Sequence, residues 1–164
     1  MSRWRPPREK SSPYITAEGY QALEQELKAL WAKRRIVNDA LAAAAAEGDR
    51  SENAEYLYRK KEQAGIDRRI RYLQKRMPDL NIVERVGDPQ KIFFGAFVTV
   101  ESEAGETRKY RIVGPDETDR AEDNISIDSP LARALLKKSV DDEVSIKLAG
   151  ETHCYTIMEL SYLE

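Results

Sequence analysis

Gly48-Asp49-Arg50-Ser51-Glu52-Asn53-Ala54-Glu55-Tyr56 separates two long segments that both carry helical periodicity. Three carboxylates, Asp49, Glu52 and Glu55, recur every third residue behind a helix-breaking glycine. If the flanking helices fold back on each other, these acids lie at the exposed tip of a hairpin. Stability explains acids far from a core poorly. Reach into a partner explains them well.

Working outward, Leu23, Leu27, Leu30, Val37, Leu41 and Ala44 follow three-to-four spacing, and the spacing predicts a helix over 17–46, about 45 Å long. Thr16 is its expected N-cap. A second helix is predicted from Arg50 to Met77, where Pro78 stops it. Its expected seam is Ala54, Tyr58, Lys61 and Gly65, then Ile66, Ile70, Leu73 and Met77, with Trp31 packing beside the seam of the first helix. Two narrow apolar stripes on consecutive helices suit an antiparallel coiled coil with a slim, alanine-lined tip.

From about residue 83 the texture changes. Ile92–Val100 and Tyr110–Val113 read as paired strands around a turn at 102–106. Phe93, Phe94 and Phe97 read as core. Ile125–Ile127 reads as a short strand. Ser129-Pro130 reads as N-cap and first residue of a helix ending near Lys138. Glu143–Leu148 and Cys154–Tyr162 alternate as strands. The fold class is therefore α+β with two domains. Residues 1–13, with Arg3, Arg5, Arg8, Lys10 and three prolines, form a flexible basic arm. Residues 14–82 form the hairpin, and 83–164 a small α+β domain.

The 164 residues carry a net charge of −2, which argues against a general nucleic-acid binder. The average hides an asymmetry: residues 1–82 hold 17 basic and 12 acidic residues, a net of +5, whereas residues 83–164 hold 10 and 17, a net of −7. The halves face different partners. One cysteine, Cys154, excludes an intrachain disulfide, and one histidine, His153, is too little for a usual zinc site. No GxSxG motif, signal peptide or membrane-length apolar run is present, and a cytoplasmic location is expected.

Asp49 and Glu52 have two readings. D-x-x-E before a helix is a capping box. The same carboxylates can bind Mg²⁺, a hard cation that takes one or two protein carboxylates and completes its shell elsewhere. Two acids alone do not hold it tightly, so the rest of such a site belongs to a partner. Arg59, Lys60, Lys61, Arg68, Arg69, Arg71, Lys75 and Arg76 are either a solvated helix face or a phosphate-tracking stripe for single-stranded nucleic acid. Asp128-Ser129-Pro130 is a helix start that can also serve as a docking contact.

GDRSENAEY, YLYRKKEQAGIDRRIRYLQKRM, FFGAFV, YRIVG and ISIDSPLARALLKK, in that order, resemble the bacterial GreA/GreB transcript cleavage factors. RSENAEYLY and IDRRIRYL lean toward the GreB side. The resemblance implies an N-terminal coiled-coil hairpin and an FKBP-like C-terminal domain. It further implies a monomeric accessory factor, not itself an enzyme, that enters the secondary channel of RNA polymerase and stimulates cleavage of the 3′ end of backtracked nascent RNA. Asp49 and Glu52 would then help hold a second Mg²⁺ shared with the polymerase active site, with none bound by the isolated chain. Arg59, Lys60, Lys61, Arg68, Arg69 and Arg71 would meet RNA, and Asp128, Ser129 and Pro130 the polymerase. The alternative is a channel-binding regulator that does not stimulate cleavage. A prolyl isomerase would rest on fold alone. A plain coiled-coil adaptor would make no use of the tip acids.

Overall fold

The computed structural model describes residues 10–47, 53–84 and 87–163. It has the α+β class expected from the sequence, and its contacts divide it into two units. Helices α1 (Ala17–Ala45) and α2 (Ala54–Arg76) make up the unit spanning Glu18–Leu80. The other unit holds the chain before Glu18 and everything from Asn81 onward.

α1 and α2 run antiparallel. Val37 on α1 and Ile66 and Ile70 on α2 are buried against one another, flanked by Leu27 and Leu30. Each such aliphatic burial contributes about 1.5–3 kcal/mol. Polar ties set the register on either side of this thin core. Arg69 donates to Glu26 through Nε (2.6 Å) and Nη2 (3.0 Å), Arg34 to Asp67 at 2.7 Å, and Gln63 to Asn38 at 2.6 Å. As numbering rises along α1 the partners fall along α2, as one antiparallel register requires. The ion pairs are half-exposed and are worth about 1 kcal/mol or less each. They therefore select a register more than they stabilise it.

The expected seam needs correction toward the hairpin's far end. Ala54, Tyr58 and Lys61 are exposed, and the helices meet there through Asn38, Gln63 and Ala44 instead. The reason is geometric. At 100° per residue, the line 58–61–65 lies about a third of a turn from the line 66–70–73. Once Ile66, Ile70 and Leu73 face α1, the other line turns outward. Trp31 is also not packed. It is 45% exposed, with the Arg34 guanidinium 5.8 Å from its ring centroid.

The second unit is built on a five-stranded sheet ordered β5-β4-β3-β7-β6: β3 (Phe97–Ser102), β4 (Thr107–Val113), β5 (Asn124–Ser126), β6 (Glu143–Leu148) and β7 (Glu151–Ser161). All neighbours are antiparallel except β4 and β5. Helix α3 (Pro130–Leu135) sets Ala132 and Leu135 against Val98, Val100, Ile112 and Ile157. Residues 92–96 are not strand as expected. Ile92 exchanges backbone hydrogen bonds with Lys137 and Lys138, and Gly95 turns the chain with φ +86°. α3 ends at Leu135, short of Lys138, and just beyond it Lys137 adopts φ +68°. The three phenylalanines flank the core: Phe93 and Phe94 line a cavity, and Phe97 lies under Lys109 and Arg111.

The short strands β1 (Tyr14–Ile15) and β2 (Asn81–Ile82) pair in parallel, so the chain leaves the second unit for the hairpin and returns beside its point of departure. Ile15 is wholly buried. Glu117, 2% exposed, anchors this segment. Its carboxylate accepts from Thr16 N–H (2.9 Å), from the Thr16 hydroxyl, and from Gly114 N–H (2.8 Å). Gly114 is required because the Tyr14 backbone lies on it: a Cβ there would sit 1.9 Å from the Tyr14 carbonyl oxygen.

Glu117→Ala strips three donors of their acceptor, and it is expected to cost about 3 kcal/mol of unfolding free energy. Urea denaturation followed by circular dichroism measures it. A loss under about 1 kcal/mol would show that water replaces the carboxylate.

Candidate functional site

Asp49 and Glu52 lie outside the described residues, so their geometry is not at issue. The chain on either side is described. α1 closes through Ala45, and α2 begins at Ala54 with Asn53 as its N-cap. Asn53 Oδ1 accepts from Tyr56 N–H at 3.1 Å, and Asn53 Nδ2 donates to the Ala44 carbonyl at 2.7 Å. One side chain thus satisfies an orphan N–H at the start of α2 and an end-of-helix carbonyl of α1. Aspartate would cap as well, but only the amide can also donate to a carbonyl. This corrects the expected start near Arg50. The described first turn of α2 is capped by Asn53. Glu55, the third acid, forms an ion pair with Arg59 at 2.9 Å.

Of the eight basic residues expected to form one stripe, all but Arg76 divide into two sets. Arg59 is held by Glu55 and Glu62, and the hydrogen bond to Glu55 raises its pKa further. Arg69 is tied across the hairpin to Glu26. Lys60 leans over Tyr56, its Nζ 5.6 Å from the ring centroid. These three serve the hairpin itself. Lys61, Arg68, Arg71 and Lys75 are exposed, and none of them is in an ion pair among the described residues. Spaced seven, three and four apart, they fall on the face of α2 turned away from α1. Arg71 Nε reaches only the carbonyl of Asp67 in its own helix.

Asp128, Ser129 and Pro130 are placed as the sequence suggested, and one contact is added. The Ser129 hydroxyl accepts from Ala132 N–H at 3.2 Å as N-cap, and Pro130 opens α3. The Asp128 carboxylate accepts both from Ser12 N–H (2.8 Å) and from the Ser12 hydroxyl. No local signal pairs residues 116 positions apart, so sequence reading could not find it. Beside this loop an apolar cavity of about 360 Å³ is lined by Tyr14, Val83, Phe93, Phe94, Ile127 and Leu136. Among the described residues, no group of three or more His, Cys, Asp or Glu could hold a metal ion. No described helix is long and apolar enough to cross a membrane.

Comparison with known proteins agrees with this layout. Residues 13–82 match the transcription elongation factor N-terminal family, and residues 87–162 match the GreA/GreB C-terminal family of transcription elongation factors. The hairpin and the small α+β unit together are thus those of a transcription elongation factor. The chain belongs to the GreA/GreB family. Transcription elongation factor GreB of Xanthomonas axonopodis pv. citri is 57% identical over 99% of this chain and 98% of its own length. That of Pseudomonas aeruginosa is 51% identical over the same shares. Among solved structures, GreA factor homolog 1 of Thermus thermophilus is 25% identical, with 90% of this chain and 97% of that one covered and a TM-score of 0.42. Such a score carries no argument, and the family rests on the sequence matches.

Asn53→Ala is expected to cost about 1 kcal/mol through the lost cap. It should speed amide exchange at Tyr56 and Leu57. Asn53→Asp keeps the acceptor but loses the donor to Ala44, so Tyr56 should stay protected while the last turn of α1 frays. Equal exchange in both variants and the parent would show that Asn53 closes nothing.

Proposed function

We propose that this chain enters the secondary channel of RNA polymerase and stimulates cleavage of the 3′ end of backtracked nascent RNA. The single observation that supports it is the closure by Asn53. It joins the last turn of α1 to the first of α2, so Asp49 and Glu52 both fall in the short connection between antiparallel helices. α1 has 29 residues, about 43 Å of helix, which suits delivery of that connection to a recessed centre.

The donor set fits the group this reading requires. Two carboxylates are hard oxygen ligands, suited to Mg²⁺, and too few to bind it unaided. A Mg²⁺ held between factor and polymerase supplies charge stabilisation for the attacking and leaving oxygens of phosphodiester hydrolysis. Asp49 and Glu52 would offer the ligands and orient the attacking water. Lys61, Arg68 and Arg71 would hold phosphates of the extruded RNA, while Arg59, Lys60 and Arg69 support the helices that carry them. Asp128, Ser129 and Pro130 would dock on the polymerase, with the Asp128 carboxylate held in one orientation by Ser12. The chain acts as an accessory factor and is inert alone, because it brings only part of the site.

Asp49→Ala and Glu52→Ala should each abolish stimulated cleavage in a stalled, backtracked complex while polymerase affinity stays within about twofold. Parallel loss of binding and cleavage would make the acids docking residues. A parent chain that binds polymerase without accelerating cleavage would instead be the channel-binding regulator. Asp128→Ala should weaken polymerase binding with the fold intact. Unchanged affinity would remove the docking role.

A further inference from the structure

We propose that the outward face of α2 is a base-stacking platform for single-stranded RNA, in which Tyr58 and Tyr72 each receive a nucleobase. Lys61 and Arg68 hold phosphates between them. This deepens the RNA-tracking reading above and rests on it.

Residues 58, 61, 65, 68 and 72 step by three, four, three and four, so Tyr58, Lys61, Gly65, Arg68 and Tyr72 form one line along the helix. Tyr58 is 62% exposed and Tyr72 43%. The buried residues of α2 are Ile66, Ile70 and Leu73, and neither ring is among them. Each ring carries a guanidinium: Arg59 lies 5.6 Å from the Tyr58 centroid and Arg69 5.4 Å from that of Tyr72. Both guanidinium groups are themselves anchored, by Glu55 and Glu26. Aromatic rings flanking exposed cations on one track suit single strands without regard to sequence.

Gly65, midway between the rings, is a second and independent sign. Glycine inside a helix costs about 1 kcal/mol relative to alanine. Nothing in the fold asks for it: an added Cβ would meet only the tip of Arg68, at 3.8 Å. A missing side chain that the fold does not require leaves room for something else to approach the helix backbone. The rings are 14 residues apart, about 21 Å along the axis, so the two bases they receive are not neighbours. The strand between them passes Lys61, Gly65 and Arg68.

The test uses the full chain and two labelled RNAs of about 15 nucleotides, one oligoadenylate and one abasic, a length within the span of known single-strand sites. Binding is followed by fluorescence anisotropy across a salt series. Tyr58→Ala with Tyr72→Ala should weaken oligoadenylate binding at least about fivefold, leave abasic RNA binding unchanged and keep the salt slope. Lys61→Gln with Arg68→Gln should weaken both RNAs and lower the slope by about 1.4. Gly65→Leu should raise helix stability yet weaken both RNAs. Equal loss on both RNAs in the tyrosine variant, or no loss, overturns base stacking while leaving the basic track standing. A parent chain that binds neither RNA overturns both. Tyrosine variants that lose polymerase affinity in the absence of RNA would place the rings against protein, which also overturns the proposal.

Discussion

A buried carboxylate governs how this chain is strung. Glu117 is almost without solvent, and burial of such a group is tolerable only when hydrogen bonds meet its lone pairs. Thr16 gives two of those bonds and Gly114 the third. The consequence is that the segment before α1 belongs to the C-terminal unit, although it precedes the hairpin in sequence. β1 lies beside β2, and the whole hairpin becomes an excursion whose two ends are held together. Gly114 permits the arrangement because no side chain fits under the Tyr14 backbone.

The hairpin itself is economical. A stripe a few residues wide is buried, and half-exposed polar pairs do the rest. Weak pairs are sufficient for register, since a shifted alignment would leave Arg34, Asp67, Arg69 and Glu26 all mismatched. That economy shapes the site. Bases spent on register and on helix pairing are Arg59 and Arg69, and Lys60 is given to Tyr56. Those on the far side of α2, Lys61, Arg68, Arg71 and Lys75, are exposed and make no ion pair among the described residues. A count of positive residues along the helix overstates its unpaired, exposed charge for this reason.

Asn53 and Ser12 play similar parts at different places. Each is a small polar residue with two hydrogen-bonding functions, and each ties two stretches of chain together. Asn53 closes the connection that carries Asp49 and Glu52. Ser12 presents its amide and hydroxyl together to Asp128, which fixes the carboxylate while leaving it only half-buried. The Ser12 contact favours a prepared Asp128 carboxylate, and a prepared group loses less freedom when it binds.

Much of this was legible in the residues alone. The three-to-four spacing of Leu23, Leu27, Leu30 and Val37, and of Ile66, Ile70 and Leu73, determines two helices and the faces they bury. The alternation in Val98–Val100 and Glu143–Leu148 determines strands. The acids behind Gly48 and the Ser129-Pro130 helix start stand out by local chemistry. These signals are local, because a period of 3.6 or 2 shows within a few residues. What only the tertiary structure decided is partner choice. Whether Trp31 and Tyr58 face the seam or the solvent, and which arginines pair across the hairpin, depend on the rotation of one helix against another. Thr16 meeting Glu117 and Ser12 meeting Asp128 join residues 101 and 116 positions apart. A hydrogen bond at that separation is written into the packed core that brings its ends together, and neither end carries a mark of the other.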